Sequence, residues 1–239
     1  MLDVPELTAE EILSRVLHRD GLMLVINKPA GLPVHRGPKG GPNLEDSFDA
    51  LRFGLPRPPV LAHRLDKDTS GCLVLGRHRK ATASLGLLFK HGKIGKTYWT
   101  VVEGGHIENE GTIDMPLGRL NAERGWWQKP DPEGQKAITN WKVMGRGEGL
   151  TWLAMEPVTG RTHQLRVHSA ATGWPIFGDN IYGNGPRSAS RSCICIPARS
   201  WCRFPGTRSR CESSRRPRPT CTRSSGPAAG TGSSVRPSW

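Results

Sequence analysis

No stretch of the 239-residue chain approaches the roughly 20 consecutive apolar residues of a membrane-spanning helix, so no membrane partner is expected. The N-terminus, MLDVPELTAEEILSRVL, lacks the basic-then-apolar order of a secretory signal, and a cytoplasmic location is expected. There is no G-x-S-x-G elbow and no H-E-x-x-H pair, which removes two hydrolase classes. Gly95-Lys96-Thr97 has the look of the end of a phosphate-binding loop. The first glycine of that motif would fall on Lys90, and a strand pattern follows where a helix is required. Cysteine is scarce over most of the chain: of six, only Cys72 precedes residue 187, and it reads as a core residue rather than a nucleophile.

Acid is in deficit, with 21 Asp and Glu against 34 Lys and Arg and a net charge of +13. The excess is unevenly placed. Residues 1–186 net only +3, which still suits a phosphate-rich partner, whereas residues 187–239 hold 11 Arg and one acid, Glu212. This Arg/Ser/Pro/Cys-rich tail has no Leu, Lys, His, Asp or Tyr and offers little to a core, so it is expected to be disordered. Its five cysteines, Cys193, Cys195, Cys202, Cys211 and Cys221, have no histidine in the segment and poor zinc-ligand spacing. Cys193-Ile194-Cys195-Ile196-Pro197 requires the codons TGY ATH TGY ATH CCN. Read one nucleotide earlier, these encode Leu/Met/Val, His/Tyr, Leu/Met, His/Tyr and Ser/Thr/Pro, an alternating strand pattern. A shift of reading frame between about Tyr182 and Cys193 accounts for the tail; a natural Arg-rich extension is the alternative. The frame-shift reading divides the chain into a catalytic domain over 1–186 and an aberrant tail over 187–239. It also predicts poor solubility or weak activity, because a sheet that loses its last strands exposes core surface and unpaired edges.

With 36% hydrophobic and 23% charged residues, the chain has the composition of a folded globular protein. Thr8-Ala9-Glu10-Glu11 fits a capping box, with Ile12, Leu13, Val16 and Leu17 at helical spacing and Gly21 as the stop. Leu22 to Asn27, Gly71 to Gly76 and Lys96 to Glu103 read as strands. Ala137 to Met144 and Leu150 to Glu156 read as a hairpin. Helices are expected over Leu44 to Phe53, His78 to His91 and Thr162 to Thr172. Gly104 to Glu133, with Trp126 and Trp127, reads as a Gly/Pro-rich excursion. The fold class is α+β: a mixed, mostly antiparallel sheet flanked by helices and long loops, with the C-terminal strands missing.

Two constellations carry chemistry. His63-Arg64-Leu65-Asp66-Lys67-Asp68-Thr69-Ser70-Gly71 precedes a buried strand; Gly160-Arg161-Thr162-His163-Gln164-Leu165-Arg166-Val167-His168 opens a helix. Either alone is compatible with a solvated charged surface. Together the chain resembles the RluA-type pseudouridine synthases. The resemblance extends through LMLVINKPAGLPVH, Lys96-Thr97-Tyr98 and Gly178-Asp179-Asn180-Ile181-Tyr182-Gly183, in order, over about residues 20–185. It implies the pseudouridine synthase catalytic fold and isomerisation of uridine in ribosomal or transfer RNA. It implies Asp66 as the catalytic aspartate, Tyr98 as the aromatic against the uracil ring, and Arg166 as the guanidinium paired with the catalytic carboxylate. Arg64 corresponds to a residue that holds the flipped-out target. His63, Arg161, His163 and Gln164 complete the expected substrate-binding set. The strands that follow the G-D-x-x-Y segment in relatives are absent here. Only a short helix precedes the domain, so the small N-terminal RNA-binding module of some relatives is also expected to be missing.

The residue types suit this reaction. Breaking the N1–C1′ bond of uridine builds positive charge on the sugar, which a carboxylate stabilises or attacks. Nothing is oxidised and no group is imported, so no cofactor and no metal is expected. His63, His163 and His168 lie in two distant segments without an acid at ligand spacing beside both, and read as motif support. Lys67, Arg77, Arg79, Lys80, Lys90, Lys93 and Lys96 are candidates for phosphate contact or plain surface charge. A monomer acting on loop uridines is the expectation. A non-catalytic RNA-binding protein and an inactive frame-shifted product are the alternatives.

Overall fold

The computed structural model describes residues 6–37, 40–104, 108–118, 127–185 and 194–196. Trp126 and the tail outside Ile194–Ile196 therefore lie outside the described residues. One nine-stranded sheet organises the chain. Its strands are β1 (Val16–Arg19), β2 (Met23–Lys28), β3 (Val60–Leu61), β4 (Thr69–Gly76), β5 (Tyr98–Glu103), β6 (Glu110–Asp114), β7 (Ile138–Gly147), β8 (Leu150–Pro157) and β9 (Ile194–Ile196). The order is β1-β2-β4-β9-β5-β8-β7-β6, with β3 added on β4. All pairings are antiparallel except β4 with β9. The helices are α1 (Ala9–Ser14), α2 (Arg79–Lys90) and α3 (Gln164–Ala171), with a 3-10 helix at Leu44–Leu51. The α+β class read from the sequence is the observed one.

Local chemistry explains the elements. In β2, MLVINK, five of six residues are buried, as expected of a strand covered on both faces. In β8 buried and less buried positions alternate at first, so one face meets the core. The β7–β8 turn places Glu148 and Gly149 at φ 52° and 74°, the pair of positive angles that a tight two-residue hairpin needs. The Thr8–Glu11 capping box forms in both directions. The helix it starts ends at Ser14, earlier than the apolar spacing predicts. Val16 and Leu17 instead enter β1, where pairing with β2 and contact with the core outweigh a further helical turn.

The apolar residues form two main clusters. One gathers Ile12, β2, β4, the 3-10 helix and Leu85 of α2; the other gathers Val102, Trp141, Leu153, Met155, Leu165 and Ile176. Tyr98 packs against both. Among the described residues the two halves of the sheet join through β9, which pairs with Thr69–Gly71 on one side and with Trp99 and Thr100 on the other. Ile194–Ile196 belong to the tail that the sequence reading places beyond residue 186. Two β-branched isoleucines around one cysteine suit an extended segment, whatever the composition of the surrounding tail.

Candidate active site

Asp66 opens the turn that leads into β4: its carbonyl accepts the amide of Thr69 at 3.2 Å. Asp is a favoured first residue of such a turn. Lys28, the last residue of β2, fixes this turn from beneath. It is fully buried, and its Nζ donates to the carbonyls of Pro29, Lys67 and Thr69 at 2.8, 2.9 and 2.9 Å. The Lys67 carbonyl also accepts the Gly31 amide at 2.9 Å. Burial pulls the Lys28 ammonium down to about 8, against the opposing pull of Asp68 and Asp66. Three carbonyls need three N–H donors, which only the protonated amine supplies.

Two outcomes follow for Lys28. Lys28→Met removes the shared donor and is expected to cost about 2 kcal/mol in a denaturant melt, with a loosened Asp66 turn. In the wild type, activity is expected to fall as pH rises through about 8, since the neutral amine serves only two of the three carbonyls. The fall is not unfolding. Between pH 8 and the ordinary lysine value the unfolded chain binds more protons than the folded one, so stability rises with pH there.

The second motif faces Asp66 from the other half of the sheet. His163 stands at the N-cap of α3 in the left-handed conformation, φ 53°, ψ 17°, and α3 begins at Gln164, two residues later than the sequence predicts. Its Nε2 lies 3.9 Å from Asp66 Oδ2, and its Nδ1 lies 2.9 Å from the Tyr182 hydroxyl. The Asp66 side chain keeps 27% exposure and that of His163 13%, so the pair borders solvent. Burial lowers the affinity of His163 for a proton; Asp66 opposes this and Arg166 reinforces it.

Arg166 is the main correction. The sequence reading pairs it with Asp66; the structure pairs it with Asp179. Arg166 Nε donates to Oδ2 and Nη2 to Oδ1, both at 2.7 Å, and the two residues are 4% and 0% exposed. Asp179 Oδ1 also accepts the amides of Ile181 and Tyr182 at 2.9 and 3.1 Å. Burial opposes charge on both members. The mutual hydrogen bonds outweigh it, raising Arg166 and lowering Asp179. The planar guanidinium matches both oxygens of an acid buried beside it on the G-D-N-I-Y turn, which explains the choice. The guanidinium also sits 5.2 Å from the Tyr182 ring centroid, and Asp66 remains within its field.

The other expected site residues divide. Arg64 is exposed and within electrostatic reach of His163. Tyr98 opens β5 opposite Met155, next to Trp99, which pairs with the same β9 residue as Ser70 of β4. Gln164, expected to bind substrate, is instead saturated by protein. Its Nε2 donates to the Ile138 carbonyl and Thr139 Oγ1, while its Oε1 accepts from Thr159 Oγ1 and the Arg161 amide. Arg161 points its Nε at the Lys136 carbonyl. His63 is also structural: its ring stacks on Phe89 at 4.1 Å, and its Nε2 accepts the Val74 amide at 3.0 Å, completing the edge of β4. Burial drives His63 down to about 3, in keeping with a neutral ring that must accept. His168 is buried between Thr139 Oγ1 and the Met115 carbonyl. Among the described residues no group of three or more His, Cys, Asp or Glu side chains converges on a metal position. No helix there is long and apolar enough to cross a membrane.

Sequence reasoning overlooked Lys28, Asp179 and Tyr182 as site residues. A lysine closing an apolar strand was the signal for the first; the G-D-N-I-Y run was the signal for the others. Comparison with known proteins agrees with the geometry. The family model for RNA pseudouridylate synthase matches residues 22–171. An uncharacterized RNA pseudouridine synthase of Zymomonas mobilis is 43% identical over 175 residues, covering 72% of this chain and 80% of the relative. Ribosomal large subunit pseudouridine synthase C of Vibrio parahaemolyticus is 34% identical over 177 residues, 73% of this chain and 54% of that one. The solved human RNA pseudouridylate synthase domain containing 4 superposes with a TM-score of 0.64 at 29% identity, covering 76% and 73% of the two chains. With a matched family model over most of its length and Asp66, His163, Arg166 and Tyr182 gathered at one site, the chain belongs to the RNA pseudouridine synthase family.

Proposed function

We propose that the chain isomerises uridines in unpaired segments of ribosomal or transfer RNA, in the cytoplasm and as a monomer, with Asp66 acting at the ribose C1′. The supporting observation is the Asp66 carboxylate itself: half-buried, on a turn pinned by Lys28, and facing His163 with the Arg166 guanidinium in range. The N1–C1′ bond breaks, and the carboxylate stabilises or captures the electron-poor C1′. The uracil turns, C5 bonds to C1′ and displaces any bond from the carboxylate, the C5 hydrogen leaves as a proton and the freed N1 takes one up, so product and substrate have the same atoms. Tyr98, at the seam of the two cores, presents a flat face that limits escape of the detached ring. Arg64, exposed beside the site, holds the extruded nucleotide.

A uridine reaches Asp66 only after leaving its stack, and unpaired RNA makes that easier. Exposed Lys67, Arg79, Lys80, Lys90 and Lys93 supply phosphate contacts, whereas Arg77 is partly engaged with the Asp20 carbonyl. Mapping pseudouridine across ribosomal and transfer RNA, with and without the gene, tests this reading. Loss of the modification at one or a few unpaired uridines, restored by the full chain, is expected; an unchanged map overturns it.

A further inference from the structure

The opposite half of the sheet brings an imidazole to within ion-pair distance of Asp66. His163 is held in place twice. Its backbone adopts the left-handed conformation that a non-glycine residue takes at some cost. Its Nδ1 is engaged by the Tyr182 hydroxyl at 2.9 Å. That hydroxyl already accepts the Gln128 amide at 3.0 Å, so its own hydrogen is available to His163. The tautomer follows from charge. If Tyr182 O–H donates to Nδ1, the ring hydrogen sits on Nε2 and faces the Asp66 carboxylate. The opposite tautomer would point a lone pair at that carboxylate. The groups whose charges act on the ring are Asp66, Arg166, Asp179 and Arg64, with burial favouring the neutral form.

We infer that His163, keyed by Tyr182, is a positioning residue that donates Nε2–H to Asp66 Oδ2 and thereby turns the other carboxylate oxygen toward the ribose. This rests on the reading of Asp66 given above. The 3.9 Å separation is an ion-pair distance, and a small rotation of the Asp66 side chain closes it to a hydrogen bond once RNA excludes water. The chain order Tyr182–His163–Asp66 has the logic of a base, its orienter and a third group, here serving a carboxylate.

Two substitutions separate this role from a structural one. In His163→Gln the side-chain amide reaches the Nε2 position and retains a donor toward Asp66, but gives up the Tyr182 contact. In His163→Asn the amide reaches only the Nδ1 position, keeps the Tyr182 contact and tolerates the left-handed backbone, but loses the donor. With full-length protein and an RNA that the wild type modifies, His163→Asn is expected to melt like the wild type. Its kcat should fall about 10- to 100-fold at unchanged KM, the worth of one hydrogen bond to a charged group. His163→Gln is expected to recover most of kcat despite a lower melting temperature. The reverse order, with Asn active and Gln inactive, overturns the inference, as does equal kcat in both. If either variant fails to fold, Tyr182→Phe carries the test, since it keeps the ring beside Arg166: a kcat drop of about tenfold supports the key, and unchanged kcat overturns it. An inactive wild type would refute the assignment of the reaction itself, a separate outcome.

Discussion

Replacing Asp66 with asparagine is expected to lower the single-turnover rate at least about a thousandfold, roughly 4 kcal/mol of transition-state stabilisation, while RNA binding changes by only a few-fold. The argument is differential. Asparagine has the same shape and leaves phosphate contacts untouched, but it cannot match the positive charge that develops at C1′ as the base departs. The fold gives no reason for collateral damage. The Asp66 side chain is partly exposed, and the His163 ring lies 3.9 Å from it, whereas the turn is held by main-chain carbonyls that the substitution keeps. A melting curve within about 0.5 kcal/mol of the wild type is therefore expected. A protein that only binds RNA would lose nothing at Asp66, so retained product in the variant would remove Asp66 from the chemistry.

Arg166→Met is expected to be damaging in a different way. It strands Asp179, which is fully buried, beside two amides and no cation, and breaking such a pair costs about 3–5 kcal/mol. The variant should unfold at much lower denaturant and show little activity. The double variant Arg166→Met/Asp179→Leu separates the two effects. Removing both charges spares the penalty of an uncompensated ion, so most of the stability should return. Activity should not return, because the guanidinium field on Asp66 and its contact with the Tyr182 ring are gone. Recovery of both stability and rate would mean that Arg166 serves the fold alone. Denaturant melts and single-turnover rates on the three proteins decide between these outcomes.

Much of this was legible in the residues, and the misses share a cause. Hydrophobic periodicity located β2, β4, β5, α2 and the β7–β8 hairpin, since each carries a run long enough to show its period. It could not locate β1, β3 or β9, of two to four residues, which exist because a neighbouring strand offers an edge. The two motifs named the right neighbourhood, but their partners depend on three-dimensional distance. Arg166 had two candidate acids, and nothing in the spacing favours Asp179 over Asp66. Gln164 and His63 sit inside chemistry-rich motifs, yet their polar atoms are consumed by main-chain and hydroxyl partners. Lys28 falls just past the strand read over Leu22 to Asn27, and its role as a buried cation joining two loops depends on the carbonyls of Lys67 and Thr69, far along the chain. Residues 194–196 pair as β9 within a tail of unusual composition, because composition is a property of a segment while strand pairing needs only three residues that can extend.

The most direct measurement uses the loss of the C5 hydrogen that every completed isomerisation requires. An RNA containing the target uridine labelled with tritium at C5 is mixed with excess full-length protein, and tritium released to water is followed in a single turnover. One equivalent released from an RNA of unchanged length, the unlabelled RNA keeping its mass, with none released by Asp66→Asn at equal RNA occupancy, is the predicted result. Release by the variant at the wild-type rate, or no release by the wild type on RNA it demonstrably binds, would contradict the account.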